Sequence, residues 1–574
     1  MRAPILAGGG PPDWWRSAVV YQVYVRSFAD SDGDGVGDLG GLLARLDHLE
    51  ELGVDVVWLG PVYPSPHDDN GYDVSDYQDV DPLFGTLAQL DLLVEELHRR
   101  GIRLILDVVV NHTSDEHPWF RESARDVASP KRDWYWWRPP RHGHEAGMPG
   151  AEPTNWESFF SGPAWELDPA TGEYFLHLFS RRQPDLNWEN PEVREAVYAM
   201  MNWWLDRGVD GFRMDVINFI SKDPALPDGA VAPGARYGDG FPSYGYGPRV
   251  HEYIREMHER VFGHRSATFL TVGEMPGVTP EQAARFTDPR RGEFDMVFQF
   301  EHMGVDQGDG GKWDTTPYSP SRLIESLVRW QDALGETGWN SLYWNNHDQP
   351  RVVSRFGDAE GHWYESATAL AAALHLQRGT PFVYQGEELG MTNMPFESLD
   401  DVRDIESLNF ARDVSDAEAL ARIRTTGRDN ARTPVQWNAA PGAGFTEGAP
   451  WIAVNPNTAW LNAETQRRDP RSVFAFYREL IRLRHELPVV VEGAFAHLPL
   501  DAPAVFAYAR RGADGDTLLV AANLAGTAVD LDWPELRERA RPGGSWEQLL
   551  GNRGPREPDR LRPWEVVVER VRPA

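Results

Sequence analysis

The chain has 574 residues, with 56 Lys and Arg against 88 Asp and Glu, a formal charge of -32 and no cysteine. Without cysteine there is no disulfide, no thiolate zinc site and no cysteine nucleophile. The acid excess argues against nucleic acid and anionic membranes as partners, since both are bound through clustered Lys and Arg.

Length alone suggests about three to four domains, a number relaxed by α/β barrels that reach roughly 300 residues as one unit. At the amino end, Met1 to Asp13 holds one basic residue and a very short apolar stretch broken by Gly and Pro, which is not a signal peptide. No uncharged apolar run is long enough for a spanning helix. The expected location is cytoplasmic and the expected state a monomer.

Eight short β-branched runs follow: Val19 to Val25, Val54 to Leu59, Ile102 to Val110, Val209 to Met214, Phe269 to Val272, Met296 to Phe300, Ser341 to Trp344 and Pro381 to Tyr384. Amphipathic helical stretches alternate with them, at Leu42 to Leu52, Leu87 to Arg100, Pro191 to Arg207, Val250 to Phe262, Ser321 to Leu334, Trp363 to Arg378 and Val473 to Leu487. Alternation of this kind marks βα units on a parallel sheet. Eight strands favour a closed (β/α)8 TIM barrel over an open doubly wound sheet.

Two connections are too long for ordinary βα loops, and in a barrel such excursions build the rim at the carboxyl ends of the strands. One runs from Asn111 to about Arg182 and contains the densest tryptophan cluster, Trp134 to Trp137; the other runs from Gly386 to Pro470. Beyond Glu486 short alternating strands appear, such as Val505 to Arg510, Thr517 to Asn523 and Val566 to Val571. The expected organisation is a barrel over 1–110 and 183–487, an inserted subdomain over 111–182, and a carboxy-terminal antiparallel β-sandwich over 488–574.

Three acids fall at or just past the carboxyl ends of predicted strands: Asp215, Glu274 and Asp348. Barrel strands converge on one mouth, so acids far apart in sequence can meet there. Glycoside cleavage needs a carboxylate on one face of the sugar and a carboxylic acid at the leaving oxygen. Arg213 points to the same side as Asp215 and should keep it ionised, whereas Glu274, crowded by two other acids, should lean toward protonation. An acid at a strand end also caps helices or pairs with Arg, so position alone leaves a structural role open.

The stretches around these acids resemble the α-amylase superfamily of glycoside hydrolases, and within it the oligo-1,6-glucosidase and α-glucosidase branch. They are Asp107-Val-Val-Val-Asn-His112, Gly211-Phe-Arg-Met-Asp-Val-Ile-Asn-Phe219, Thr271-Val-Gly-Glu-Met-Pro276 and Asn345-Asn-His-Asp-Gln-Pro-Arg351, with Gln183-Pro-Asp-Leu-Asn187 and Gly427-Arg-Asp-Asn-Ala-Arg-Thr-Pro434 beside them. The resemblance implies Asp215 as nucleophile, Glu274 as general acid and base, and Asp348 as the grip on the sugar hydroxyls. It also places Asp73, Tyr72, His112, Phe159, Phe175, Gln183, Arg213, His347 and Arg432 around a terminal glucose of a small oligosaccharide. Val216, after the nucleophile, accompanies α-1,6 cleavage in similar proteins. Met303-Gly-Val-Asp-Gln-Gly-Asp309 replaces the Arg-Leu-Asp-Arg stretch of sucrose-isomerising members, which disfavours that activity. The expected enzyme is therefore a retaining, exo-acting oligo-1,6-glucosidase, with an α-1,4-glucosidase or transglucosidase as the alternative. A non-enzymatic sugar-binding relative is the remote alternative, disfavoured because all three acids are present.

Asp30-Ser-Asp-Gly-Asp-Gly-Val-Gly-Asp38 spaces acids and glycines as a calcium loop does, although position twelve of an EF-hand would be Gly41. In similar proteins such a loop holds one structural Ca2+ through Asp30, Asp32, Asp34, the carbonyl of Val36, and Asp38.

Overall fold

The computed structural model describes residues 4–5, 9–335 and 337–572. Parts of the Met1 to Asp13 stretch and the end of the carboxy-terminal expectation lie outside the described residues.

Eight parallel strands form one sheet: β1 (Val20–Val23), β2 (Val56–Leu59), β3 (Arg103–Val108), β4 (Gly211–Met214), β5 (Leu270–Glu274), β6 (Met296–Phe298), β7 (Ser341–Tyr343) and β8 (Thr380–Tyr384). They are ordered β7-β8-β1-β2-β3-β4-β5-β6. The two ends meet. A parallel bridge joins Val297 to Asn340, and the Ser341 hydroxyl donates to the Val297 carbonyl at 2.7 Å. Nearly every strand residue is buried, as expected of a parallel sheet covered by helices outside and filled by side chains within.

Local sequence explains the helices. Leu87–Arg99 starts with a capping box of Thr86 and Gln89 and buries Leu90, Leu93, Val94 and Leu97 on one face. Pro191–Asp206 starts with an Asn190 cap and Pro191 in the first turn. Two expected helices are interrupted. Leu42 to Leu52 divides into Leu39–Ala44 and Leu46–Leu52 at Arg45, whose guanidinium is held by the Gly444 carbonyl and the Trp437 ring. Val250–Met257 passes into a π-helical turn, His258–Phe262. The long excursion after β8 also contains helices that periodicity did not mark, Ile405–Ala411, Asp416–Thr426 and Ala463–Arg468.

The excursion after β3 carries a small antiparallel sheet of Trp137–Arg138, Glu173–Leu176 and Trp165–Asp168. Trp134, Trp136 and Trp137 are buried there, and the Lys131 ammonium and Arg132 guanidinium sit over the Trp134 and Trp137 rings. Packing accounts for this cluster. A buried lysine gathers both ends of the excursion: the Lys222 ammonium lies 2.8 Å from Asp185, just past its end, and donates to Asn111 Oδ1 at its start and to the Phe219 carbonyl.

The carboxy-terminal strands are β9 (Ala494–His497), β10 (Val505–Arg511), β11 (Thr517–Asn523), β12 (Glu547–Gly551) and β13 (Val566–Val571), in antiparallel order β9-β10-β11-β13-β12. Phe506, Tyr508, Val520 and Val568 face the barrel core, while Ala507, Leu519, Ala521 and Val567 pack under the helix Trp533–Ala540. The second layer is that helix with a two-stranded ladder of Val529–Asp530 and Arg560–Leu561, so one face of the expected sandwich is not a full sheet. Among the described residues, no helix is long and apolar enough to cross a membrane.

Candidate active site

The carboxyl ends of the barrel strands surround a cavity of about 220 Å³. Asp215, Glu274 and Asp348 all line it. Strand β4 ends at Met214, β5 ends on Glu274, and Asp348 sits in the turn after β7, so convergence of strand ends brings the three together.

Arg213, buried at 1% exposure, is the electrostatic centre. Its Nη1 donates to Asp107 Oδ1 at 2.6 Å and to Asp215 Oδ1 at 2.7 Å, and its Nη2 lies 2.7 Å from Glu274 Oε1. One guanidinium therefore serves three carboxylates. Asp107, the third, is further held by Trp58 Nε1 at 2.8 Å and the Tyr72 hydroxyl at 3.3 Å. Burial pushes its carboxyl up to about 6, against the pull of Arg213.

The expectation that Arg213 keeps Asp215 ionised needs correction. The contact exists, but burial pushes the Asp215 carboxyl well above the usual range, with Glu274 and Asp107 adding to the rise and Arg213 opposing it. A cation divided among three anions cannot compensate all of them.

Asp348 lies at the other extreme. Burial alone would raise its pKa, but His347, Arg428, Arg432 and Lys312 hold it well below the carboxylate range. Arg432 Nη2 donates to Oδ1 at 2.8 Å and Arg428 Nη1 at 3.4 Å, while His347 Nε2 lies 3.2 Å from Oδ2. Asp348 thus remains an ionised hydrogen-bond acceptor in the cavity wall. His347 is stacked between Tyr72 and Tyr24, with interplanar angles of 4° and 9°, and burial lowers its pKa to about 3, so its ring is neutral.

One wall is aromatic. Phe159 stacks against Phe179 and Phe219 at centroid distances of 5.2 and 5.4 Å, those two rings lie 6.3 Å from each other, and all three line the cavity with Val216 and Phe300. A flat apolar wall facing clustered hydroxyl acceptors suits a pyranose, which has both a carbon face and a rim of hydroxyls.

The fold and this geometry agree with a family-level match: the catalytic-domain model of alpha amylase matches residues 22–493. The chain belongs to the alpha-amylase family. It is a glycoside hydrolase. It is 51% identical over 571 residues to the oligo-1,6-glucosidase of Parageobacillus thermoglucosidasius, covering 97% of this chain and 99% of that one. The trehalose-6-phosphate hydrolase of Bacillus subtilis is 47% identical, with 97% and 98% covered. A solved structure of Bacillus licheniformis trehalose-6-phosphate hydrolase superposes with a TM-score of 0.90 at 44% identity, with 97% and 99% covered.

Within this alpha-amylase site, not every residue expected to touch sugar faces the cavity. Asp73 is fully buried, and its carboxylate accepts the Asp68 and Asp69 amides at 2.8 and 3.2 Å and the Ser65 hydroxyl at 2.9 Å. It closes its own turn. Asp69, four residues earlier, lines the cavity instead and accepts from Arg428 Nη2 and Gln183 Nε2 at 3.1 and 3.2 Å; burial raises its pKa to about 7. Phe175 packs against Phe120 and Trp137 in the subdomain core, because its register in the small sheet turns it inward. Gln183 sits behind the wall, joining Asp69 to the Tyr72 carbonyl and His112 Nε2. His112 and Tyr72 line the cavity, and burial lowers His112 to about 4. Arg432 acts through Asp348 and the His347 carbonyl.

Sequence reasoning missed Asp69, Asp107, Phe179, Lys312, Glu406 and Arg428. Asp107 and Arg428 lie inside the motifs quoted above, and Asp69 belongs to the same acidic turn as Asp73. Lys312 and Glu406 come from the excursions after β6 and β8, on the strand Gly311–Thr315 and the helix Ile405–Ala411, and lie in none of the motifs quoted above.

In the Asp30 to Asp38 loop, carboxylate oxygens of Asp30, Asp32 and Asp38 lie within 4.8 Å of one another, a donor set that suits a hard cation. Loop amides donate to these acids, Gly33 to Asp30 and Val36 to Asp34, each at 2.7 Å. Asp38 also caps a helix through the Gly41 amide at 2.7 Å.

Proposed function

We propose that this glycoside hydrolase is an exo-acting oligo-1,6-glucosidase that removes terminal non-reducing glucose from isomaltose-type oligosaccharides with retention of configuration. The observation that supports it is Asp215 and Glu274, bridged from behind by Arg213, lining a cavity sized for one sugar with Val216 in its wall. Asp215 attacks the anomeric carbon and forms the glucosyl ester while Glu274 gives its proton to the leaving oxygen. Glu274 then takes a proton from the water that hydrolyses the ester. Asp348, held ionised, binds the sugar hydroxyls and stabilises the cationic transition state. For attack, the proton of the acidic cluster has to reside on Glu274; the Val216 amide, 3.1 Å from Glu274 Oε2, holds that carboxyl in place.

The decisive experiment follows the first-formed anomer by NMR and measures glucose release from isomaltose, maltose and p-nitrophenyl α-glucoside, with Asp215→Asn as control. Inversion, or activity in Asp215→Asn equal to wild type, rejects the assignment of the nucleophile. Preference for maltose rejects the α-1,6 reading in favour of an α-1,4-glucosidase.

The loop acids Asp30, Asp32 and Asp38 support a further part of the proposal, one structural Ca2+, tested by native mass spectrometry of protein prepared without chelator. A monomeric, cytoplasmic enzyme completes the reading. Light scattering tests the first property and cell fractionation the second.

A further inference from the structure

The cavity lining contains five acids, Asp69, Asp215, Glu274, Asp348 and Glu406, and two cations, Lys312 and Arg428. Both cations are already committed. Arg428 lies 3.1 Å from Asp69, 2.6 Å from Asp404, 3.4 Å from Asp348 and 3.3 Å from Glu406. Lys312 pairs with Glu406. Lys312 and Glu406 side chains are 25% and 18% exposed, above the 10% and 8% of Asp215 and Glu274 and near the 28% of Asp348, so this pair lies on the open side of the two principal acids, where the leaving part of a substrate would sit.

We propose that Glu406 is a charge filter: by occupying Lys312 and Arg428 it confines the enzyme to α-glucosides whose leaving sugar is uncharged and rejects those carrying a phosphate. The inference rests on the α-glucosidase reading above, and on the leaving sugar passing Glu406. A phosphate monoester brings roughly -1.5 to -2 charges. A buried anion needs paired cations to offset its lost hydration, and here each candidate cation already faces a carboxylate. A neutral sugar meets no such penalty, since Lys312, Glu406 and Gln349 offer donors and acceptors to hydroxyls.

The test compares glucose and glucose 6-phosphate as inhibitors of p-nitrophenyl α-glucoside hydrolysis, together with turnover of trehalose and trehalose 6-phosphate. Wild type is expected to bind glucose at least about tenfold more tightly than glucose 6-phosphate, and to turn over trehalose 6-phosphate no better than trehalose. Glu406→Gln should reduce the inhibitor ratio at least about tenfold, in a salt-dependent manner. Wild-type preference for either phosphorylated compound overturns the proposal even if the variant fails to fold, as does an unchanged ratio in folded Glu406→Gln. Failure to cleave isomaltose would reject the α-1,6 reading while leaving the inhibitor comparison intact.

Discussion

The Val216 amide donates to Glu274 Oε2 at 3.1 Å from a backbone of φ 33° and ψ 43°. A β-branched residue in the left-handed region stores about 1–3 kcal/mol of strain, so the chain turns sharply after Asp215 and directs an amide at the other principal acid. The same turn sets the Val216 side chain in the cavity wall.

Val216→Ala keeps the amide and enlarges the wall. Its ratio of kcat/KM on isomaltose to that on maltose should fall by about tenfold or more, the scale set by lost methyl contacts in an apolar pocket. Steady-state kinetics on the two disaccharides checks this, and an unchanged ratio rejects Val216 as a specificity residue.

Arg213→Met leaves Asp107, Asp215 and Glu274 without their shared cation. We expect kcat to fall at least ~10²-fold. The remaining carboxyls should ionise at higher pH, moving the acidic limb of the kcat/KM profile upward. Asp107, at about 6, and Asp215 are already raised in wild type and rise further without the guanidinium, so the variant loses stability relative to wild type as pH climbs above about 6, by roughly 3–5 kcal/mol at most. Denaturant melts at pH 5 and pH 7.5 measure the difference.

Asp69 and Asp73 make a matched pair of tests. Asp69→Asn should lower kcat/KM at least ~10²-fold with little loss of stability, because it faces the cavity. Asp73→Asn should cost about 1–2 kcal/mol through its turn hydrogen bonds and change kcat/KM by only a few-fold. The opposite pattern would restore Asp73 as the sugar ligand.

Glu387 lies beneath the loop of Asp348, accepting from Asn345 Nδ2 at 2.6 Å and the Tyr477 hydroxyl at 2.9 Å. Burial pushes its carboxyl up to about 7. The unfolded chain therefore ionises it first, and stability present below about pH 4 is lost as pH rises to about 7. Glu387→Gln removes this loss. Relative to wild type the variant should gain stability progressively across that window, by roughly 3 kcal/mol at most, and remain level above it. A pH series of denaturant melts decides.

Arg510 is fully buried and donates to the carbonyls of Leu376, Val490, Val491 and Gly493, locking the carboxy-terminal sheet to the barrel. Arg510→Met should cost about 2–4 kcal/mol by leaving these acceptors unpaired. Limited proteolysis should then cut the carboxy-terminal region before the barrel.

By itself the sequence determined the barrel, because strand and helix periods are local and alternate visibly along the chain. It also marked Asp215, Glu274 and Asp348, because strand ends in a barrel must converge. Tertiary structure decided which acid of the turn faces inward, Asp69 rather than Asp73, and which phenylalanines wall the cavity, Phe159, Phe179 and Phe219 rather than Phe175. It alone joined Lys312, from the excursion after β6, to Glu406 and Arg428, which lie far apart within the excursion after β8. The charge state of Asp215 was beyond local reading for the same reason. Placing Arg213 beside Asp215 suggested one ion pair, whereas folding buries that guanidinium among three carboxylates, and electrostatics follows distance in space rather than along the chain.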